Sequence, residues 1–348
     1  MKKRILISVI AILILGILLG VLQLLLVPKY RDNKEGALIG EYYAEAGGHD
    51  VIFVGDCEVY ESFVPATLYE EWGITSYVRG SAQQLVWQSY YLLEETFRYE
   101  TPKAVVFNVL ALKYGVPQNE AFNRMTLDGM RWSSSKMRSI LASMTEEENA
   151  LDYVFPLLRY HSRITELTAD DFKYAFTDLP TVSHSGYLMQ TGILPMTEEE
   201  ESGRNLSDYT LPSTAMDYLE KMRLLCEEKG CELILVKAPT NSWAYWWYEE
   251  WEEQIDAYAA EKGLTYYNFI PLSSEIGIDW QTDTYDRGVH LNVYGAEKLS
   301  RYFGELLQRN HGIADRRGET EVAGVWADRL TRYYDEKLKS EQERDQKQ

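Results

Sequence analysis

Apolar side chains run without a charge from Ile5 to Val27, with only Gln23 strongly polar among them, directly behind Met1-Lys2-Lys3-Arg4. At about 1.5 Å rise per residue, a helix needs roughly 20 such residues to cross a bilayer's hydrocarbon core, so the run predicts a membrane span. A cleaved signal peptide has a shorter apolar stretch and an Ala-x-Ala-like site. No such site precedes Lys29, which favours a retained anchor. Lys2, Lys3 and Arg4 face Lys29, Arg31 and Lys34 across the run, and the terminal amine tips the positive charge toward the N-terminal side. By the positive-inside rule, residues 1–34 are a cytoplasmic stub, an anchor and a juxtamembrane segment, and residues 35–348 form one extracytoplasmic domain.

Past the anchor the period changes. Val51–Val54, Ile74–Val78, Ala104–Val109, Glu232–Val236 and Leu264–Phe269 are short runs, β-branched or aromatic and bounded by Gly, Pro or charge, which is how buried parallel strands read. Between them, Gln83–Tyr99, Ala215–Lys229 and Glu249–Lys262 place apolar residues three and four apart, and a further helix begins around Ala296. Strand alternating with helix predicts an α/β fold, a parallel sheet with helices on both faces in three α/β/α layers. Residues from about 112 to 212 interrupt the alternation with mostly helical spacing and then a polar loop. They read as a helical insertion capping the sheet, and residues from about 335 to 348 as a charged tail.

Charge narrows the function. Residues 35–348 hold 29 basic and 53 acidic side chains, a net charge near −24, which repels phosphate backbones and excludes nucleic acid as a partner. Three cysteines are too few for a disulfide-built fold. Cys226 and Cys231 flank Glu-Glu-Lys-Gly at a helix-to-strand turn, and a disulfide between them or two separately buried thiols are both open readings. Either way Cys57 is left alone.

In open parallel sheets, ligands bind at the carboxyl ends of the strands, and three segments there carry chemistry. Gly55-Asp56-Cys57-Glu58-Val59-Tyr60 follows the first strand. A thiol on a turn entering a helix sits at that helix's positive end, although Asp56 and Glu58 oppose a thiolate. Asp283-Thr-Tyr-Asp286-Arg-Gly-Val-His290-Leu-Asn292 places an imidazole behind two carboxylates, the arrangement of a general base whose tautomer is fixed by an acid. His161 and His184 lie in the insertion, and His49 and His311 are peripheral. Arg79-Gly80-Ser-Ala-Gln-Gln84 follows the second strand and Asn108 ends the third; a free backbone N–H at Gly80 with the Asn108 amide would suit an oxyanion. No His or carboxylate cluster has metal-ligand spacing, and no cofactor is implied. Trp243, Tyr245, Trp246, Trp247, Tyr248 and Trp251 crowd one stretch, where sugar stacking competes with a packed cap or an interfacial belt. Tyr42 and Tyr43 fit an interfacial position just beyond the anchor.

The order of these segments resembles the SGNH/GDSL hydrolase superfamily, with its flavodoxin-like three-layer sheet. Cys57 stands where that family has the Ser of Gly-Asp-Ser, Gly80 matches its second block, Asn108 loosely its third, and Asp286 with His290 its last. Gly-Asp-Cys-Glu-Val-Tyr, Arg-Gly-Ser-Ala-Gln-Gln-Leu, Lys237-Ala-Pro-Thr-Asn241 and His-Leu-Asn-x-x-Gly are similar to the teichoic-acid D-alanylation (DltD) branch. They are also similar to SGNH proteins that work beside membrane-bound O-acyltransferases on envelope polysaccharides. The resemblance covers roughly residues 50 to 310. It implies an esterase or acyltransferase of envelope polymers, with Cys57 as nucleophile, His290 as base, Asp286 as orienting acid, and Gly80 and Asn108 as oxyanion donors. Asp283 and Asp56 are alternates, and the other implied role is a non-catalytic accessory subunit that binds polymer or a membrane-bound O-acyltransferase. Two positions depart from the family. Cys replaces Ser, and three residues rather than two separate Asp286 from His290.

Overall fold

Five short strands, β1 (Val51–Gly55), β2 (Ser76–Gly80), β3 (Ala104–Asn108), β4 (Glu232–Lys237) and β5 (Thr265–Asn268), pair in the order β2-β1-β3-β4-β5, every pair parallel. The computed structural model describes residues 2–28, 34–195, 206–240 and 247–346. Because side chains alternate along a strand, the sheet feeds two cores. Ile52, Val54, Val105, Phe107, Leu233 and Leu235 pack with Trp87, Leu92, Leu219 and Ile255. On the other face, Val51, Phe53, Val106, Ile234 and Val236 meet Leu68, Leu299, Phe303 and Leu307. The strands β1, β2 and β3 are buried at every position, which is why β1 and β3 read as near-continuous apolar runs, while β2 carries Ser76 and Arg79 into the interior. Each fully buried Leu, Ile or Phe contributes about 1.5–3 kcal/mol.

The strand β2 starts two residues later than its apolar run. Gly73, at φ +67°, caps the helix Pro65–Trp72, and the Ile74 N–H closes that cap onto the Leu68 carbonyl, 3.2 Å away. Ile74 thus belongs to a helix C-cap. The expected helix Gln83–Tyr99 is trimmed to Val86–Thr96, since Gln83 takes a left-handed turn (φ +50°) and Gln88 caps the new start at the Leu85 N–H.

Five short helices between Glu120 and Tyr174 make up the first part of the insertion. Its later part is not a cap. The Ser185 carbonyl accepts from the Val78 N–H at 2.9 Å, covering the open edge of β2. Gly186, at φ +85°, approaches so closely that a Cβ there would lie 1.9 Å from the Val78 oxygen.

Two expectations about the periphery change. Tyr42 is not interfacial: it lies buried on a helix Lys34–Glu45, its hydroxyl donating to Glu100 at 2.7 Å and its ring 4.0 Å from the buried Arg79 guanidinium. A cation in the core needs such partners, and Arg79 also has Glu95 at 3.1 Å. Residues 335–345 are not a tail but the end of a helix Thr320–Asp345. Trp326 and Tyr333, seven residues apart, anchor that helix; Trp326 stacks on Tyr69, and the Tyr333 hydroxyl donates to Glu297. Cys226 and Cys231 are buried free thiols, with their mutual hydrogen bond and then burial pushing the Cys226 pKa up. Of the aromatic stretch, Trp247, Tyr248 and Trp251 are packed into the core beside Tyr209, while Trp243, Tyr245 and Trp246 lie outside the described residues. Lys29 and Arg31 lie outside them too.

The N-terminal run forms one helix, Lys2–Leu26, with a mean hydropathy of 3.2 across its most apolar 18 residues. By length and composition it can cross a membrane or serve as a signal sequence. Only Leu26, at its end, is buried against the rest of the chain.

Candidate active site

The β1 strand delivers its last residue, Gly55, beside Gly80 of β2, and the chain then turns into the helix Cys57–Ser62. Asp56 caps that helix, accepting from the Glu58 N–H at 3.2 Å, so Cys57 occupies its first position. Gly55, at φ +153°, has no room for a side chain: a Cβ would fall 2.5 Å from Val59 Cγ2 and 3.1 Å from Asn108 Cβ. Gly55→Ala is expected to cost about 1–3 kcal/mol through backbone strain and overpacking, read as a lowered denaturant midpoint.

His290 arrives on the loop between Asp283 and the helix Val293–His311. Asp286 bonds it twice, accepting from the His290 backbone N–H at 2.8 Å, with the second carboxylate oxygen 2.6 Å from Nδ1. Between Asp286 and His290 the loop takes two consecutive left-handed positions, Arg287 (φ +65°) and Gly288 (φ +87°). Thr284 Oγ1 gathers the turn by accepting from Gly288 N–H at 2.8 Å. From one side the insertion holds the loop, through Leu194 N–H to the Thr284 carbonyl and Arg287 N–H to the Leu194 carbonyl. From the other, the Thr240 hydroxyl past β4 donates to the Val289 carbonyl at 2.7 Å. Asn292 caps the following helix, accepting from the Tyr294 and Gly295 N–H groups.

Cys57 and His290 lie side by side, close enough for each to act on the other's ionisation. With Nδ1 turned to Asp286, Nε2 is the ring nitrogen left for the thiol. Exposure rises from 8 % at Cys57 to 11 % for the His290 side chain and 28 % for Asp286, so the site opens to solvent on the loop side. Asp283 is elsewhere, buried and held by Lys298 at 2.6 Å and the Asp279 N–H at 2.8 Å. Between the two acids of the loop, Asp286 is the one on the imidazole.

A second carboxylate reaches the ring. Glu61 Oε2 is 3.5 Å from His290 Nδ1, and the Tyr285 hydroxyl donates to both Glu61 oxygens at 2.9 Å. Sequence reasoning missed Glu61, although its spacing of four from Cys57 on one helix puts both on the same face.

Asn108 is differently employed from the expectation. Its Nδ2 donates to Glu58 Oε2 at 2.9 Å and Asp56 Oδ1 at 3.3 Å, and its Oδ1 accepts from the Ala238 N–H at 3.0 Å. Both amide hydrogens are thereby engaged beneath the cysteine turn rather than offered to an oxyanion. Gly80 does sit against that turn, where a Cβ would be 3.2 Å from the Gly55 oxygen and 3.3 Å from the Asp56 oxygen. Under Asn108 lies a fully buried ion pair, Lys237 Nζ to the two Glu58 oxygens at 2.7 and 2.8 Å.

Burial pushes the Cys57 thiol up, and Asp56 and Glu61 add to this, while His290 acts against it. Burial alone would lower His290, but Cys57, the Asp286 hydrogen bond and Glu61 outweigh it and hold the imidazole well above its usual value. Burial and Glu58 raise Asp56 to about 7. Beside them, Lys113 is pushed down by burial and Tyr114 up to about 12. Among the described residues, no three His, Cys, Asp or Glu side chains are grouped to hold a metal ion.

No protein-family model and no curated protein sequence matches the chain.

Proposed function

We propose that the chain is a membrane-anchored, extracytoplasmic acyl esterase or acyltransferase of the SGNH type, acting on acylated envelope carbohydrate through Cys57, His290 and Asp286. The observation that carries the proposal is the Cys57 thiol beside an imidazole whose Nδ1 lies 2.6 Å from a carboxylate, at the carboxyl ends of parallel strands. That is the nucleophile, base and orienting acid of acyl transfer. The strand order, which is that of flavodoxin-like sheets, supports the three-layer part of the reading, and the sequence blocks support the substrate class.

In the proposed cycle the Cys57 Sγ–carbonyl bond forms as the thiol proton passes to His290. The tetrahedral adduct then expels the alcohol, which takes that proton. Water or a second hydroxyl attacks the thioester, gives its proton to His290 and releases the thiol. Gly80, which sits against the turn, is the backbone proposed to hold the oxyanion.

The raised Cys57 and His290 values fix the pH dependence. The reactive state is the pair short of one proton, whether that proton is missing from sulfur or from nitrogen. Both shifts place its formation on the alkaline side, and Asp56 ionising near 7 raises Cys57 further. Hydrolysis of p-nitrophenyl acetate by the full chain in detergent micelles is therefore expected to climb from pH 7 through pH 9. Turnover that is flat or falling over that range overturns the assignment of Cys57 and His290 as the reacting pair.

The engagement of Asn108 with Glu58 and Asp56 favours a second reading, an accessory subunit that binds polymer or a membrane-bound O-acyltransferase without turnover. Polymer retained by the chain with no ester cleaved at any pH is the result it predicts.

A further inference from the structure

Of the eighteen exposed large apolar side chains among the described residues outside the N-terminal helix, seven fall between residues 151 and 179. Phe155, Phe172 and Phe176, the exposed phenylalanines among the described residues, fall within one stretch of the insertion together with Leu151, Leu158, Ile164 and Leu179. Soluble surfaces rarely gather such residues, and each aromatic ring left in water forgoes a large apolar burial.

The place of this stretch in the fold identifies what covers it. Its short helices Pro156–Tyr160 and Ala169–Tyr174, and the turn His161–Thr165 between them, pack against the helix Lys2–Leu26. The join lies at that helix's C-terminal end, where Leu26 becomes buried and the Arg163 guanidinium donates to the Leu26 carbonyl at 2.5 Å. A 25-residue helix is about 37 Å long, against roughly 30 Å for the hydrocarbon core. A bilayer spanned by it ends within about a turn of the join. We infer that residues 151–179 form a foot that lies in the bilayer interface on the side of the folded domain, its Phe and Leu side chains among the acyl chains near the headgroups. Short amphipathic helices bind membranes in this way, with apolar side chains buried roughly 5–10 Å deep. The foot and the anchor would together hold the domain at a fixed height and tilt over the membrane. This inference rests on the anchor reading of Lys2–Leu26 and is independent of the chemistry at Cys57.

The test uses the wild-type full chain in phosphatidylcholine vesicles containing a phosphatidylcholine with a diazirine on its acyl chain. After irradiation, adducts are mapped by mass spectrometry. Adducts on Lys2–Leu26 and on residues 151–179, with none on the exposed Leu224 of the helix Ser213–Lys229, are expected. The combined replacement Phe155→Ser, Phe172→Ser and Phe176→Ser should lower the yield on the foot several-fold and leave the anchor's unchanged. Adducts on the anchor but not on 151–179 overturn the inference alone and leave that face to a protein partner. Adducts on neither overturn the anchor reading, and the foot with it.

Discussion

Cys57→Ala is expected to abolish ester turnover, by a factor on the order of 10⁴ to 10⁶, the loss found when a nucleophile acting in concert with its base is removed. His290→Ala should cost about as much, because thiol and imidazole act as one unit. The two variants differ in a second readout. Iodoacetamide should modify Cys57 of the folded wild type, and His290→Ala should move the pH dependence of that reaction to still higher pH, since His290 is the influence drawing the thiol's pKa down against burial, Asp56 and Glu61. Asp286→Asn should be milder than the about 10⁴ lost when a single orienting acid is replaced. Glu61 remains 3.5 Å from Nδ1 and can take over the ring, so a loss of roughly 10² to 10³ is expected, deepened by adding Glu61→Gln. Peptide mapping distinguishes Cys57 from the buried Cys226 and Cys231. A folded protein in which Cys57 stays unmodified at every pH, with or without His290, has no acyl chemistry at this residue.

The features of the site that could be read from the sequence are those with a local cause. A strand that is apolar on both faces declares itself in four letters, as Val51–Val54 does, and the residues following it are then at the carboxyl edge whatever the rest of the chain does. That rule singles out the segments holding Cys57, Asp286 and His290, and the resemblance to the SGNH block order implied their grouping. Partners that depend on packing between distant segments were not legible. Lys237 reads as the polar end of an apolar run, and only the parallel register of β3 with β4, which sets Asn108 beside Val236, brings it under the cysteine turn. The Asn108 amide was expected at an oxyanion because its strand end is right, but two acids of the turn claim its hydrogens. The same limit applies to Tyr42 and to the last helix. Their burial depends on Arg79 and on Tyr69, residues that no periodicity links to them.

Severing the ion pair beneath the turn is expected to have the largest effect on stability. Lys237 and Glu58 are both fully buried, so neither charge is hydrated, and the pair is held by two short bonds with Asn108 and the Ala238 carbonyl taking up the remaining lone pairs and hydrogens. Removing one partner from such a pair leaves the other charge uncompensated in the core, which costs about 3–5 kcal/mol. Lys237→Met should therefore lower the midpoint of thermal unfolding by roughly 5–8 °C, given an unfolding entropy of about 2.1 cal/mol/K per residue over a domain of this length. The double variant Lys237→Met with Glu58→Gln removes both charges, keeps similar volumes and leaves an amide for Asn108. It should recover most of the loss, since a buried ion pair contributes little net stability over neutral groups of the same shape. A double variant as unstable as the single one would mean that the pair's geometry, not its charge, supports the fold. The two proteins also separate stability from site architecture. Glu58 follows Cys57 directly, and its carboxylate is tied through Asn108 to Asp56, so a charge-neutral network should restore folding and, because one positive and one negative charge leave together, keep the pH dependence of Cys57 alkylation close to that of the wild type.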